Sequence, residues 1–413
     1  MRFPLPLAAL GLALLAGCAT PPRPTPREWI DTDTGHRVVR LSVDPDSRSL
    51  YFHQYAYLRD GRLVFTSTNG VFAVDLTTRA LEKLLPADAH LIQVGRKFGR
   101  IYFTRDHALC SLDPATHAER TIMELPPHWS IGTINCDETL AAGTLTDADE
   151  PARNPKFGSA ARDEKTFMKN KGAMMQARMA QKTPMELVFV DLATGAVTWR
   201  GNRGTDWLGH LQFSPADPGL LMFCHEGIWD DVTRTWLIRA DGSGLKNIHN
   251  RTMQHEIAGH EFWSADGATA WYDLQTPRSR VFWLAGYNVH TGARTWYNLA
   301  RDEWSVHYNC SPDGKVFAGD GGGPGNVARA ENGQWIYLFH PELTPSRMRD
   351  AAATNLIATG VFRAEKLVNL KHHDYYLEPN VTFTPDGKWI VFRSDLQGAP
   401  HIYAVEIAKA KKD

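Results

Sequence analysis

Along most of the chain, short apolar runs with alternating polar positions are cut by turns rich in Asp, Gly, Pro and Thr. One skeleton recurs: a polar residue, an apolar run, then a turn of the form Ser/Thr-Pro-Asp-Gly. It is clearest in His260-Glu-Phe-Trp-Ser-Ala-Asp266-Gly267, His307-Tyr-Asn-Cys-Ser-Pro-Asp313-Gly314 and Asn380-Val-Thr-Phe-Thr-Pro-Asp386-Gly387. Looser copies end at Asp60, Gly99, Asp137 and Ala216, which gives seven anchors. Their mean spacing, (386 − 60)/6 or about 54 residues, is close to the length of a propeller blade with insertions.

After each anchor comes an apolar strand, a gap, a second strand and often an Asp-x-x-Thr-Gly type of turn, as in Leu187-Val-Phe-Val-Asp-Leu-Ala-Thr-Gly195. β-Branched and aromatic residues in alternation predict strands, and the turn residues between them predict hairpins. About four short strands repeated seven times predict an all-β chain, a seven-bladed β-propeller spanning residues 31–408. The early strand at His36–Ser42 is expected to complete the last blade beside His401–Ile407, closing the ring and removing its exposed edges.

Six residues before the anchors stand Gln54, Gln93, Ile131, His210, His260, His307 and Asn380. Equivalent positions on the innermost strands of successive blades ring one mouth of the central channel. Polar residues at strand starts also simply face solvent. Three consecutive blades offering His at one register, in a chain with 17 His among 413 residues, point instead to a polar pocket for catalysis or metal binding.

The ends and interruptions carry a different pattern. Residues 1–18, with Arg2, an apolar run and Leu15-Ala-Gly-Cys18, read as a lipoprotein signal peptide whose lipobox would make Cys18 the lipidated first residue. The apolar run is too short to span a bilayer. Residues 19–30 form a Pro-rich tether and 409–413 a basic tail, so the expected location is the bacterial cell envelope, with the membrane met only through the lipid. Insertions are expected at 147–184, where Arg162–Gln181 is a charged, Met-rich helix within the third blade, and at 321–371. A net charge of −1 gives no basic surface for nucleic acid. The four Cys after Cys18 lack metal-binding spacing and read as buried thiols.

The segments Trp207-Leu-Gly-His210, Phe223-Cys-His-Glu-Gly227, Arg234-Thr-Trp236, His260-Glu-Phe-Trp263 and Phe383-Thr-Pro-Asp386 resemble the oligogalacturonate lyases, polysaccharide lyase family 22. The resemblance runs from about Asp31 to Ala408 and is best in the middle third. It implies a seven-bladed propeller that cleaves uronate-containing oligosaccharides by β-elimination. It also implies His260 as the base that removes the C5 proton, Arg234 as its assistant, and a divalent metal, Mn²⁺, held in part by His307. The family's His-Pro-His pair is Glu378-Pro379-Asn380 here, and Tyr375 stands where it has Gln. The metal set would therefore be His307, Glu378 and Asn380, a donor mixture that suits Mn²⁺, Ca²⁺ or Mg²⁺.

The chemistry asks for three things: neutralisation of the carboxylate beside C5, a base of near-neutral pKa, and a proton for the O4 leaving group. His210 or His225 could give that proton, and His225, Trp207 and Gln54 are candidates for binding the sugar. Two other readings remain open on the sequence. A non-catalytic, TolB-like propeller that binds glycans or proteins would explain the loss of the His-Pro-His pair. A glycoside hydrolase would need an acid pair, for which Glu226 and Glu261 are the candidates.

Overall fold

The computed structural model describes residues 27–146, 164–326, 329–346 and 355–410. The lipobox with Cys18, most of the tether, the first part of the 147–184 insertion and the end of the basic tail lie outside the described residues. Within them the chain is all-β apart from one helix, α1 (Glu164–Gln181), and two short 3-10 turns.

The strands form six hydrogen-bonded sheets. Four follow one another as simple antiparallel meanders; they begin with the strands Leu63–Ser67, His90–Val94, Trp129–Ile134 and Trp207–Phe213. An eight-stranded sheet comes next. Its halves begin at Ile257–Trp263 and Tyr308–Cys310, and a parallel pair joins them where Arg294–Leu299 runs beside Ile357–Asn369. Trp335–Leu343 and Ile357–Asn369 lie inside the span expected as a second insertion, yet they are long paired strands of this sheet. Apolar alternation is strong enough in both to build ladder, and the long arms of the hairpin masked the repeat period.

The last sheet joins the two ends of the chain. His36–Arg40 pairs with His401–Lys409, with Val38 opposite Val405 and Val39 opposite Ala404, as the early strand was expected to do. Core packing follows the same circuit: most hydrophobic clusters sit between consecutive sheets, and one sits between the two halves of the eight-stranded sheet. Phe189 packs with Phe213 and Phe223, Met222 with Tyr272, and Val391 and Ala404 with Leu63 and Phe65 across the closure. Each sheet thus buries both faces against neighbours, which explains strands such as Met185–Asp191 that are buried almost throughout.

The recurring turns are held by their own side chains. The Ser264, Ser311 and Thr384 hydroxyls donate to Asp266, Asp313 and Asp386 at 2.6, 2.7 and 2.6 Å. Asp191 accepts from the Ala193 and Thr194 amides, and Asn288 does the same for His290 and Thr291. These Asx-type turns fix hairpin register from local sequence. α1 lies between Leu140–Thr146 and Met185–Asp191, which are adjacent strands of one sheet.

The closing strand can be tested directly. Val38 and Val405 are both fully buried, and Val38→Ala should lower stability by about 2 kcal/mol through lost burial and a cavity. Urea denaturation measures this; an unshifted midpoint would mean that the terminal pair does not hold the ring.

Candidate active site

The first strands of successive sheets touch one another, those beginning at His90, Trp129 and Trp207 in one series and those at Ile257, Tyr308 and Thr382 in another. Two of these strands carry a bulge at the residue that matters. Register slips between Gly209 and Gln212 and between Gly259 and Phe262, and His210 and His260 take the left-handed conformation, with φ of 50° and 46°. A bulge re-aims a side chain that strict alternation would send elsewhere. The glycine ahead of each His has its own reason. A Cβ at Gly209 would lie 2.9 Å from Glu226 Oε1, and one at Gly259 would lie 3.2 Å from Asp273 Oδ1. The missing side chain is what lets those carboxylates reach the imidazoles.

The carboxylates come from the second strand of each unit. His260 Nδ1 lies 2.8 Å from Asp273 Oδ1, and His307 Nδ1 lies 2.8 Å from Asp320 Oδ2, which also receives the Asn380 amide. With Nδ1–H given to the acid, Nε2 is the basic nitrogen of each ring. His210 differs, since its Nε2 is 3.0 Å from Glu226 and its Nδ1 is 3.8 Å from Glu261. Glu261 in turn receives Arg234 Nε at 2.8 Å and the Thr235 hydroxyl at 3.1 Å.

Burial sets the electrostatics. Desolvation would raise the Glu226 pKa, but His210, Arg234 and Arg178 outweigh it and bring the carboxyl down to about 2. Burial likewise works against the Arg234 charge, and Cys224, Glu261 and Glu226 overcome it, holding the guanidinium charged. Burial pushes the Tyr51 hydroxyl well above its usual range, with Glu378 adding to the effect. Burial, helped by His210 and His307, pushes His53 well below its own, so that imidazole is neutral.

Tyr51 and His53 come from the loop before the first sheet. Tyr51 Oη is 3.2 Å from His307 Nε2, and its ring centroid lies 5.5 Å from that of His210. The His260 and His307 rings are 4.9 Å apart. Members of this group line two cavities. One of about 320 Å³ is lined by His260, Asp273, Tyr375 and Glu378, the other of about 610 Å³ by Tyr51, His53, Gln54, Trp207 and His210. α1 reaches both, with Gly172 at the smaller and Arg178 at the larger.

The structure therefore brings His210, His260, His307, Arg234 and Glu378 into one neighbourhood, with Gln54 and Trp207 on the wall of the larger cavity. His225 lines neither cavity; it pairs with Asp206 at 2.9 Å and stacks on Trp236. Gln93 ties two sheets together through Ile134 O and Thr133. Asn380 is 1% exposed. Its amide oxygen accepts from Phe52 N–H and its amide nitrogen donates to Glu378 O. Asp273, Asp320, Tyr51 and His53 are additions that the reading by anchors passed over. The two aspartates share a signal in the sequence, since each stands 13 residues after its histidine.

The donor set does not fit a resident divalent ion. His307 Nε2 faces the Tyr51 hydroxyl, Asn380 is bound to backbone at both ends, and the Tyr375 hydroxyl donates to Asp320 O at 3.0 Å. At the position expected for the metal, that leaves His307 and the Glu378 carboxylate, 3.9 Å apart, fewer than the six or so oxygen or nitrogen donors such ions collect. His210, Cys224 and Glu226 also place donor atoms within 4.8 Å of one another, with His210 and Glu226 already bound to each other.

The depressed pKa of Glu226 makes a prediction about acid stability. A carboxyl with a folded pKa near 2 stabilises the fold fully above its unfolded value of about 4.3, and the contribution fades as pH falls toward 2. Glu226→Gln should therefore lower the melting temperature at pH 7, and the gap to wild type should close between pH ~4.5 and ~2. A gap that persists unchanged to the acid end would assign the loss to packing instead.

Comparison with known proteins agrees with this architecture. The sequence model for oligogalacturonate lyase matches residues 162–411, a span that takes in α1. The chain is 26% identical over 402 residues to an oligogalacturonate lyase of Dickeya dadantii, covering 91% of this chain and 95% of that protein. It is also 26% identical over 407 residues to an oligogalacturonide lyase of Pectobacterium atrosepticum, with the same coverage. Among solved structures it resembles an oligogalacturonate lyase in complex with manganese, with a TM-score of 0.71, 23% identity, and coverage of 92% of this chain and 96% of that one. The Vibrio parahaemolyticus oligogalacturonate lyase gives a TM-score of 0.71 at 22% identity, with 93% and 97% covered. The chain belongs to the oligogalacturonate lyase family.

Proposed function

We propose that the chain cleaves oligogalacturonides by β-elimination, with His260 as the base that takes the C5 proton. The observation that carries this is the His260–Asp273 pair, 2.8 Å apart on the wall of a cavity beside His307. The aspartate fixes the tautomer and balances the charge that forms on the ring as Nε2 is protonated, as an acid does behind a catalytic histidine elsewhere. Arg234, kept charged by its two glutamates, supplies the positive field that the substrate carboxylate and the enolate-like intermediate require. Tyr51 keeps its proton through burial. Its O–H turns from His307 Nε2 to O4 as the C4–O4 bond breaks, leaving a 4,5-unsaturated uronate, and water returns the proton to Tyr51 once the product has left. His210, the earlier candidate for that step, has Glu226 and Glu261 at its ring nitrogens and helps hold Arg234's partners in place.

A divalent ion would neutralise the same carboxylate, as manganese accompanies one structural relative, but these residues do not make its cage. Two further readings belong with the proposal. The eight-stranded sheet is two blades joined edge to edge, which makes seven with the other five sheets, and α1 is a helical insertion in the third. The support is that the first strands of the two halves touch each other, as the first strands of other neighbouring sheets do, and that clusters such as Phe262 with Phe317 and Phe339 pack between the halves. The lipobox ending at Cys18 would tether the enzyme to the cell envelope.

His260→Ala should depress kcat by ~10²–10⁴-fold while leaving oligogalacturonide binding nearly intact, because the base acts on a proton in flight. The absorbance of the unsaturated product gives the rate, and undiminished turnover would remove His260 from the role. Exhaustive dialysis against a chelator should change wild-type turnover by less than about twofold, given the two donors left over here. A loss of about tenfold or more that Mn²⁺ restores would show that an ion is held after all.

A further inference from the structure

The larger cavity has no part in removing the proton, yet it is built around one cation. Arg178 is the single lysine or arginine among its described lining residues. The guanidinium lies 4.1 Å over the Trp207 ring, and its NH1 is 3.6 Å from Glu226 Oε2, too long for a hydrogen bond. Glu226 Oε1 meanwhile is bound to His210. The side chain is 19% exposed, so it is held in place without being sealed off.

α1 is docked so as to present it. Met175 is buried, and Met179 Sδ accepts the Ile228 amide at 3.0 Å. These two stand one turn apart, with Arg178 on the same side of the helix. With Cζ over the indole and NH1 toward Glu226, the guanidinium still has Nε and NH2 along one edge, and such an edge matches a carboxylate with two parallel hydrogen bonds. Trp207 thus serves the site by orienting the arginine. Of the four histidines that line the cavity, His53 is neutral and adds no competing charge.

We infer that Arg178 reads the carboxylate of the uronate next to the one that loses its proton, so that the enzyme selects two consecutive free-acid units. The inference rests on the lyase reading. It assigns the reacting unit to the cavity that holds His260 and the neighbouring unit to the cavity of Arg178, with the bond to be cut above Tyr51 and His307. Arg178 is a specificity residue here and takes no proton.

The test pairs variants with substrates. Trigalacturonate and the same trisaccharide methyl-esterified at the neighbouring unit are compared for wild type, Arg178→Ala and Arg178→Lys. On the free acid, Arg178→Ala should raise KM by about tenfold or more with a much smaller effect on kcat, and Lys should recover part of the loss. On the ester, wild type should already show the higher KM, and Arg178→Ala should add little, which is the non-additivity expected of a direct contact. Trp207→Leu, which keeps the Arg178 charge but releases its orientation, should weaken the acid preference. An equal penalty on acid and ester, or none on either, overturns the inference. Calorimetric binding of both trisaccharides separates the two readings. A wild type that binds the acid over the ester through Arg178 but produces no unsaturated product keeps this inference and sinks the lyase mechanism. Equal binding of acid by wild type and Arg178→Ala sinks this inference alone.

Discussion

A carboxylate stands behind each of His210, His260 and His307, and much else in the structure follows from that pairing. An imidazole buried without a partner would lose solvation and orientation together, whereas a charge-assisted hydrogen bond from a neighbouring strand sets tautomer and direction at once. The partner arrives by strand pairing: His260 and His307 sit on the first strand of their units, and Asp273 and Asp320 come back on the second. Gly209 and Gly259 are small for this reason, and the bulges that follow them turn the rings into the channel. Fold and chemistry here are one constraint, since a shift of one residue in the ladder would part each acid from its base.

The final unit shows the same frame with other residues in it. Asn380 takes the histidine position, and 393 − 380 = 13 places Arg393 where the aspartate would stand. Its Nε donates to the Leu377 and Glu378 carbonyls. Burial lowers the Arg393 pKa even with Glu378 nearby. A fixed guanidinium beside Glu378 and a committed Asn380 make this corner a hydrogen-bonded scaffold rather than a set of open donors. That fits the observation that His307 Nε2 is already met by Tyr51.

Much of this was legible in the sequence because it is written locally. The Ser-Pro-Asp-Gly and Asp-x-x-Thr-Gly turns hold themselves through their own side chains, so these anchors mark real hairpins. His210, His260 and His307 were found by register for the same reason. What escaped depends on partners far along the chain. Tyr51 and His53 precede the first anchor, and Tyr51 reaches His307 across 256 residues, so no repeat position flags them. His225 carries the right chemistry in the right motif, yet it stands on a second strand, where Asp206 and Trp236 take it up. Asn380 looks like a ligand by composition, while its amide completes the backbone bonding of Phe52 and Glu378.

The pairing of Val38 with Val405 and of Tyr51 with His307 has a consequence in time. Both contacts join residues separated by most of the chain, so neither exists until the C-terminal half has been made and arranged. Closing such a loop costs entropy before any contact repays it, and folds dominated by distant partners form slowly. The His260–Asp273 pair within one unit can form early, but the Tyr51 hydroxyl that meets His307 comes from the other end of the circuit. A half-built ring would thus hold His260 beside Asp273 with Tyr51 still apart from His307, and the proposed site is whole only once the distant parts of the chain meet.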